Sequence, residues 1–340
     1  MDGILMPPCD HSNNQQHSGD NSDSRSLIAA IGYGNSISCL IRCSRADYGA
    51  IASLNRSFRS LIRDGELYKL RRKNGVVEHW VYFSCHLLEW EAFDSSRHRW
   101  MHLPRILLTN TWSSGISMNA ARCLFGSASL GEIAILAGGG DSNGNILSSA
   151  ELYNSDEGTW KTLQSMNKPR KMCSAVFMDG NFYVIGGIGG TDSVLLTCGE
   201  EYNLETETWT EIPNMSPMQT GEARENDMPA TSIAPPLIAV VNNELYAAGY
   251  ADMEVRKYNK NSRAWVTVGR LPERVNSMNG WGLAFRACGD RLIVIGGPRT
   301  VGEGFVEVNS WVPSEGPPQW DLLGRKRSGG FVYNSTVMGC

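Results

Sequence analysis

The sequence predicts a mainly-β chain, a β-propeller of four-stranded blades preceded by a small α-helical domain. Three observations carry this expectation. Short β-branched runs ending in glycine recur at a fixed interval, an aromatic pair recurs at a second fixed interval, and a helical apolar stripe is confined to the region before residue 75.

The glycine-stopped runs are IAILAGG (133 to 139), FYVIGG (182 to 187), LYAAGY (245 to 250) and RLIVIGG (291 to 297), each reading as a buried strand. Gly138 and Gly139 precede Gly186 and Gly187 by 48 residues, and Ala248 and Gly249 precede Gly296 and Gly297 by the same 48. A four-stranded blade of about 50 residues has this period. Strand ends near a propeller axis crowd together, so glycine belongs where backbones approach closely or turn with positive φ. The second ruler is tighter: Tyr153 to Trp160, Tyr202 to Trp209, Tyr258 to Trp265 and Phe93 to Trp100 are all seven apart. Placed on two successive outer strands, such pairs supply the apolar area that a blade can bury only against a neighbour. Ala248 replaces the first glycine in one repeat and Val308 replaces the tyrosine in the last, so those two blades are expected to be less regular.

The order of apolar strand, diglycine, Tyr and Trp in AILAGG...ELYNSDEGTW and YVIGG...EEYNLETETW resembles the kelch repeat. The resemblance implies a kelch-type propeller over residues 79 to 340. Residues 80 to 103 read as three strands lacking a first one, while 329 to 340 read as a lone first strand. Pairing these ends closes the ring and removes exposed edges.

One interval breaks the ruler. Trp112 follows Trp100 by only twelve residues, yet WSSGISMNAAR (112 to 122) and WKTLQSMNKPR (160 to 170) share Trp, Met-Asn and Arg at the same spacings. Trp112 therefore ends a blade whose first three strands are absent. Roughly 35 to 40 residues of a normal blade are missing near Pro104 and Arg105, judged by the repeat period. The expected parent has six blades, and this chain has five assignable blades and a remnant. A ring so shortened must close as five, leave a gap or fold poorly, each at a cost in inter-blade burial. An altered gene product is the expectation.

Before the propeller, residues 1 to 25 form a polar tail expected to be disordered, and residues 26 to 75 form the helical domain. From Asp47, apolar residues Tyr48, Ile51, Leu54, Phe58, Leu61 and Ile62 make one helical stripe, with Asp47 as N-cap and Gly65 as stop. A shorter helix is expected over 37 to 43 and another over 66 to 72. The run Leu54, Ser57, Phe58, Arg59, Ser60, Leu61 resembles the core of an F-box, and a head of this kind with kelch repeats is similar to the plant F-box/kelch proteins. The resemblance implies that the head binds a Skp-type adaptor of a cullin-RING ubiquitin ligase while the propeller captures a protein substrate. It further implies that Leu27, Ile28, Ile37, Leu40, Ile41, Tyr48, Leu54, Phe58 and Leu61 face the adaptor or form the F-box core. Where the motif usually opens on Leu-Pro, this chain has Leu27-Ile28.

Composition narrows the classes further. There is no 18-residue apolar stretch and no basic segment followed by an apolar run at the N-terminus, so neither membrane nor secretion is expected. Nine cysteines, odd in number and without C-x-x-C, point to reduced thiols in cytosol or nucleus. The net charge of −4 conceals nine basic against three acidic residues between Ile37 and Gly75, leaving −10 elsewhere. A basic head suits an acidic partner, and without interleaved aromatics it does not suit nucleic acid.

Catalysis is not expected. SDEGTW (155 to 160) nearly spells a sialidase turn but coincides with the Tyr-to-Trp connection, so a structural origin is preferred. His98 and His102, four apart on one expected strand, lack an acidic partner for a metal. GGIGGTD (186 to 192) is not followed by a helix that would cradle phosphate. Arg122, Arg170 and Arg274 recur after outer strands and are expected to be structural. No cofactor is expected. The long insertion from Asn214 to Pro236 is either a substrate contact or an excursion. Two functions remain: substrate receptor of a ubiquitin ligase, or an adaptor-independent propeller scaffold, and Skp binding separates them.

Overall fold

The computed structural model describes residues 27–86, 89–103, 115–190, 193–217, 233–273, 279–296, 304–328 and 330–339. The expected tail, Arg274, Gly297, residues 104–114 and most of the insertion after Asn214 lie outside them. The chain divides into two compact units after Glu78.

The first unit is helical: α1 (Gly32–Leu40), α2 (Tyr48–Leu54), α3 (Arg56–Arg63) and α4 (Glu66–Lys73). The expected continuous helix from Asp47 is instead two. Asn55 adopts an extended conformation, and its side chain accepts from the Phe58 amide at 2.9 Å, capping α3. The apolar stripe runs across this break, which is why periodicity alone joins the two. Asp47 makes no cap bond and instead ends a 3₁₀ turn, Arg45–Asp47, that Ser44 caps. Gly65 does stop α3, at φ 74. The helix expected over 37 to 43 begins earlier, at Gly32. Ile37, Leu40, Ile41, Tyr48, Phe58, Leu61 and Leu67 form the core.

The second unit contains five four-stranded antiparallel sheets. Blade 1 holds β1 (His79–His86), β2 (Glu89–Asp94) and β3 (Arg99–His102); blade 2 holds β4 (Gly126–Leu130), β5 (Ile133–Ala137), β6 (Ala150–Asn154) and β7 (Thr159–Thr162). Blade 3 holds β8 (Ser174–Met178), β9 (Asn181–Ile185), β12 (Gly199–Asn203) and β13 (Thr208–Ile212), with a small hairpin of β10 (Ile188–Gly189) and β11 (Val194–Leu195) between. Blade 4 holds β14 (Ile238–Val241), β15 (Glu244–Gly249), β16 (Glu254–Asn259) and β17 (Ala264–Arg270); blade 5 holds β18 (Leu283–Cys288), β19 (Arg291–Gly296), β20 (Phe305–Trp311) and β21 (Asp321–Arg327). The last strand, β22 (Asn334–Gly339), completes blade 1 by pairing antiparallel with β1, His79 opposite Gly339 and Ser84 opposite Asn334.

The C-terminal strand thus pairs with the first strand of the propeller, and apolar seams join the blades in turn. Blades 2 and 3 share Ile135, Ala137, Phe182, Val184 and Tyr202; blades 3 and 4 share Val176, Ile185, Leu245 and Tyr258. Blades 4 and 5 share Val255, Leu271, Phe285 and Val294, and blades 5 and 1 share Phe83, Phe93, Ile295 and Val308. Among the described residues no such cluster joins blade 1 to blade 2, where the sequence places the missing blade. Among the described residues the five blades are therefore joined by four apolar seams.

Equivalent residues show what the missing seam leaves exposed. In blade 3, Tyr202, Trp209 and the connecting Met166 are buried against blade 2, at 2%, 9% and 4% exposure. Their counterparts in blade 2, Tyr153, Trp160 and Met118, are only half-buried. The inner-strand counterparts of Ala175 and Phe177 are Ser127 and Ser129, both exposed.

Candidate functional site

In the head, a single buried guanidinium ties the helices together. Arg71 Nη1 donates to the carbonyls of Ile41 and Cys43 at 2.8 and 2.6 Å, and to Tyr48 Oη at 3.1 Å, while Nη2 donates to Glu78 Oε2 at 3.0 Å. The open carbonyls after α1 thereby gain a cationic donor. Glu78 also accepts from Ser44 Oγ at 2.7 Å and the Arg45 amide at 3.0 Å. Burial pushes the Tyr48 phenol up, with the Arg71 hydrogen bond acting in the opposite sense. Arg71 and Arg45, counted above with the basic face, are thus partly or wholly internal; Arg42, Arg56, Arg59, Arg63, Lys69, Arg72 and Lys73 are exposed. Of the F-box residues, Ile37, Leu40, Ile41, Tyr48, Phe58 and Leu61 are buried and Leu27 packs against them. Leu54 is 70% exposed and Ile28 38%. Core and outward-facing members of the motif are thereby separated.

In the propeller, the seven-residue ruler is a hairpin. Tyr153 lies directly opposite Trp160, Tyr202 opposite Trp209, Tyr258 opposite Trp265 and Phe93 opposite Trp100. Ring centroids are 4.9, 4.9, 5.2 and 4.8 Å apart. The residue after each first aromatic closes the turn. Asn203 Oδ1 accepts from the Glu205 and Thr206 amides at 2.9 Å, and Asn154, Asn259 and Asp94 do likewise. A left-handed residue follows: Gly158, Glu207, Arg263 and His98. SDEGTW is therefore one copy of a structural turn. His98 lies in such a turn, not on the strand with His102, and among the described residues no group of side chains is suited to a metal. In blade 5, Val308 faces Gly324, and a Cβ there would lie 2.7 Å from the Phe93 ring of blade 1.

The diglycines are bends against a neighbouring connection. Gly138 and Gly139 have φ of 70 and 99, and a Cβ on Gly138 would lie 2.3 Å from the Arg170 carbonyl. Gly186 and Gly187 repeat the bend. In blade 4 the strand instead runs on through Ala248 to Gly249, and Gly296 ends β19.

The recurring arginine explains the bend and brings in a partner that sequence reasoning missed. Arg170 Nη1 donates to the carbonyls of Gly186 and Cys198 at 3.0 and 3.3 Å, and Nη2 to Glu200 Oε1 at 2.6 Å. Glu200 accepts in turn from the amides of Asn167 and Lys168 at 2.7 and 3.1 Å. Blade 2 repeats this with Arg122, Gly138, Ser149, Glu151, Asn119 and Ala120. The signal was present: both repeats carry Glu two residues before the tyrosine, in AELY and GEEY, whereas blade 4 has Arg256 there. The connection entering blade 2 is docked in the same manner, with Trp160 Nε1 donating to the Ile116 carbonyl at 3.0 Å as Trp209 Nε1 does to Gln164 at 2.7 Å. The segment after Trp112 thus behaves as the exit from a blade.

The description "Kelch motif" matches residues 121–167 and 169–216, the two blades that keep the Arg–Glu pair. F-box/kelch-repeat protein SKIP11 of Arabidopsis thaliana is 62% identical over 360 residues, covering 95% of this chain and 77% of that protein. The chain belongs to the F-box/kelch-repeat proteins. Two further Arabidopsis thaliana relatives, F-box/kelch-repeat proteins At1g26930 and At1g74510, are 56% and 53% identical, covering 96% and 89% of this chain and 86% and 77% of theirs. The first match spans 360 residues, whereas 95% of 340 is about 323, so SKIP11 has about 37 positions more within the matched stretch. That difference agrees with the 35 to 40 residues that the repeat period requires.

Proposed function

We propose that this F-box/kelch-repeat protein is a non-catalytic substrate receptor of a Skp-cullin-F-box ubiquitin ligase, acting in the nucleus or cytoplasm. In this reading the head engages the Skp-type adaptor and the propeller engages the protein to be ubiquitinated. The observation that carries it is the union, in one chain, of a helical head that leaves Leu54 exposed and a propeller of kelch-type blades. The described cysteines are free thiols, which agrees with a reducing compartment. An exposed leucine contributes little to folding and is the kind of apolar group a partner covers.

Co-purification with a Skp adaptor tests the reading. Leu54→Arg is expected to abolish capture while leaving the melting temperature within about 1 °C, since exposed substitutions cost little. Leu40→Arg, in the core, is expected to lose capture through unfolding. Failure of the unaltered chain to capture the adaptor removes the proposal and favours a scaffold that uses the propeller alone.

A further inference from the structure

The first strands of the five blades, β4, β8, β14, β18 and β22, adjoin one another in turn and form the inner wall of the propeller. One position recurs along them, set by its partner on the second strand: Ala128 opposite Ile135, Val176 opposite Tyr183, Ala239 opposite Tyr246, Arg286 opposite Ile293 and Thr336 opposite Tyr82. Ala128, Val176 and Ala239 pack into the three seams from blade 2 to blade 5. In the fourth seam the position holds a cation, flanked along β18 by the seam residues Ala284 and Cys288. Packing does not require it, since the other blades fill the same place with small uncharged residues.

Arg286 Nε donates to the Ser335 carbonyl of blade 1 at 3.2 Å and Nη1 to the Phe285 carbonyl at 3.0 Å, and among the described residues no carboxylate pairs with it. The buried arginines Arg71, Arg122 and Arg170 each hold one. Burial pushes the Arg286 guanidinium below its ordinary value, with no neighbouring charge acting on it. A guanidinium nevertheless stays charged at neutral pH, so the inner wall carries a desolvated cation without a counter-charge. The side chain is part-exposed, so an outside anion can reach it. A second feature meets the first. Gly282, just before β18, bridges Val332, just before β22, and Trp281, Phe331 and Tyr333 beside that bridge are 44%, 50% and 57% exposed while Val332 is buried. Tyr333 stands two residues, about 7 Å of strand, from the Ser335 that accepts from Arg286. Aromatic side chains around an arginine are the composition of an interface centre.

We propose that this end of the seam between blades 5 and 1 is the docking surface of the propeller and takes an acidic peptide segment, one carboxylate pairing with Arg286 and adjacent apolar side chains covering Trp281, Phe331 and Tyr333. The proposal rests on the reading that the propeller engages a protein, and it names the chemistry of the segment engaged. Nη2, without a partner among the described residues, is the donor left for the carboxylate. A neutral segment would cover the cation without pairing it, so charge sets the choice of partner.

Selection of random peptides displayed on phage against the full chain, with no adaptor present, tests this. Enriched peptides are expected to carry Asp or Glu beside apolar residues. A synthetic copy of one should bind at least about tenfold more weakly to Arg286→Val and to Trp281→Ala/Tyr333→Ala. Arg286→Val installs the residue type of Val176 and removes an unpaired charge, so it should melt no lower than the unaltered chain. Absence of enrichment, enrichment of peptides without acidic residues, or undiminished binding to Arg286→Val overturns the proposal. So does a lowered melt of Arg286→Val, which would make the arginine a folding residue, or a dimer of the unaltered chain that Trp281→Ala/Tyr333→Ala dissociates, which would make a second copy the occupant. Acidic peptides enriched by a chain that captures no Skp adaptor would uphold this surface and remove only the ligase reading; adaptor capture without acidic enrichment would do the reverse.

Discussion

Glu200→Ala is the perturbation whose cost the geometry sets most clearly. Arg170 is fully buried, and of its bonds only that to Glu200, at 2.6 Å, supplies an opposite charge. Removing the carboxylate leaves a guanidinium inside blade 3 and strips two amide donors, on Asn167 and Lys168, of their acceptor. Breaking a buried pair from one side costs about 3–5 kcal/mol. At about 2–4 °C per kcal/mol for a unit of this size, the melting temperature should fall by roughly 6–20 °C. Differential scanning calorimetry at neutral pH measures it, together with Arg170→Met/Glu200→Leu. The double variant should lose less than the sum of its single variants, because it leaves no unpaired charge. A fall below about 2 °C for Glu200→Ala would refute the view that this pair anchors the blade.

Other consequences follow from the same contacts. Truncation before Phe331 removes β22 and exposes the edge of β1, so it should lower and broaden the melt; an equally high and cooperative transition would contradict closure by the C-terminal strand. In the head, Arg71→Met should melt the helices and abolish adaptor capture, because the carbonyls of Ile41 and Cys43 lose a cationic donor and Glu78 loses one of its cationic partners; circular dichroism of the variant checks this, and an unchanged helical melt would contradict it. Stability should also fall as pH rises above about 9. Cys85 and Cys173 ionise near 9 when unfolded but only near 11 when folded, so the unfolded chain binds fewer protons in that window. Each thiol accounts for a loss of roughly 2 kcal/mol by pH 11. Melts of Cys85→Ala/Cys173→Ala should show a shallower decline than the unaltered chain between pH 9 and 11; parallel declines would contradict it.

Features fixed by local pairing were legible in the sequence, and features fixed by long-range burial were not. The Tyr-to-Trp interval is visible because seven residues are the length of a turn with two facing strand residues, and the diglycines are visible because a bend needs two positive φ values in succession. Helical periodicity puts Arg71 on a charged face because it says nothing about which cation folds back onto the Ile41 carbonyl, 30 residues away. The Asn55 cap leaves no mark on the periodicity, because the apolar stripe continues on both sides of it. Glu151 and Glu200 carried a repeat signal that only their arginines make meaningful. The missing blade was readable as spacing, but the half-buried state of Tyr153 and Trp160 needed coordinates.

Among the described residues blade 2 has one apolar seam where blade 3 has two, as expected of a propeller that lacks a blade in front of blade 2. Hydrogen exchange followed by mass spectrometry on the full chain tests this directly, by comparing equivalent strands of the two blades. Amides of β5 and β6 should exchange faster than those of β9 and β12, since the first pair opens without breaking a second interface. Equal protection of the two blades would contradict a missing seam at blade 2.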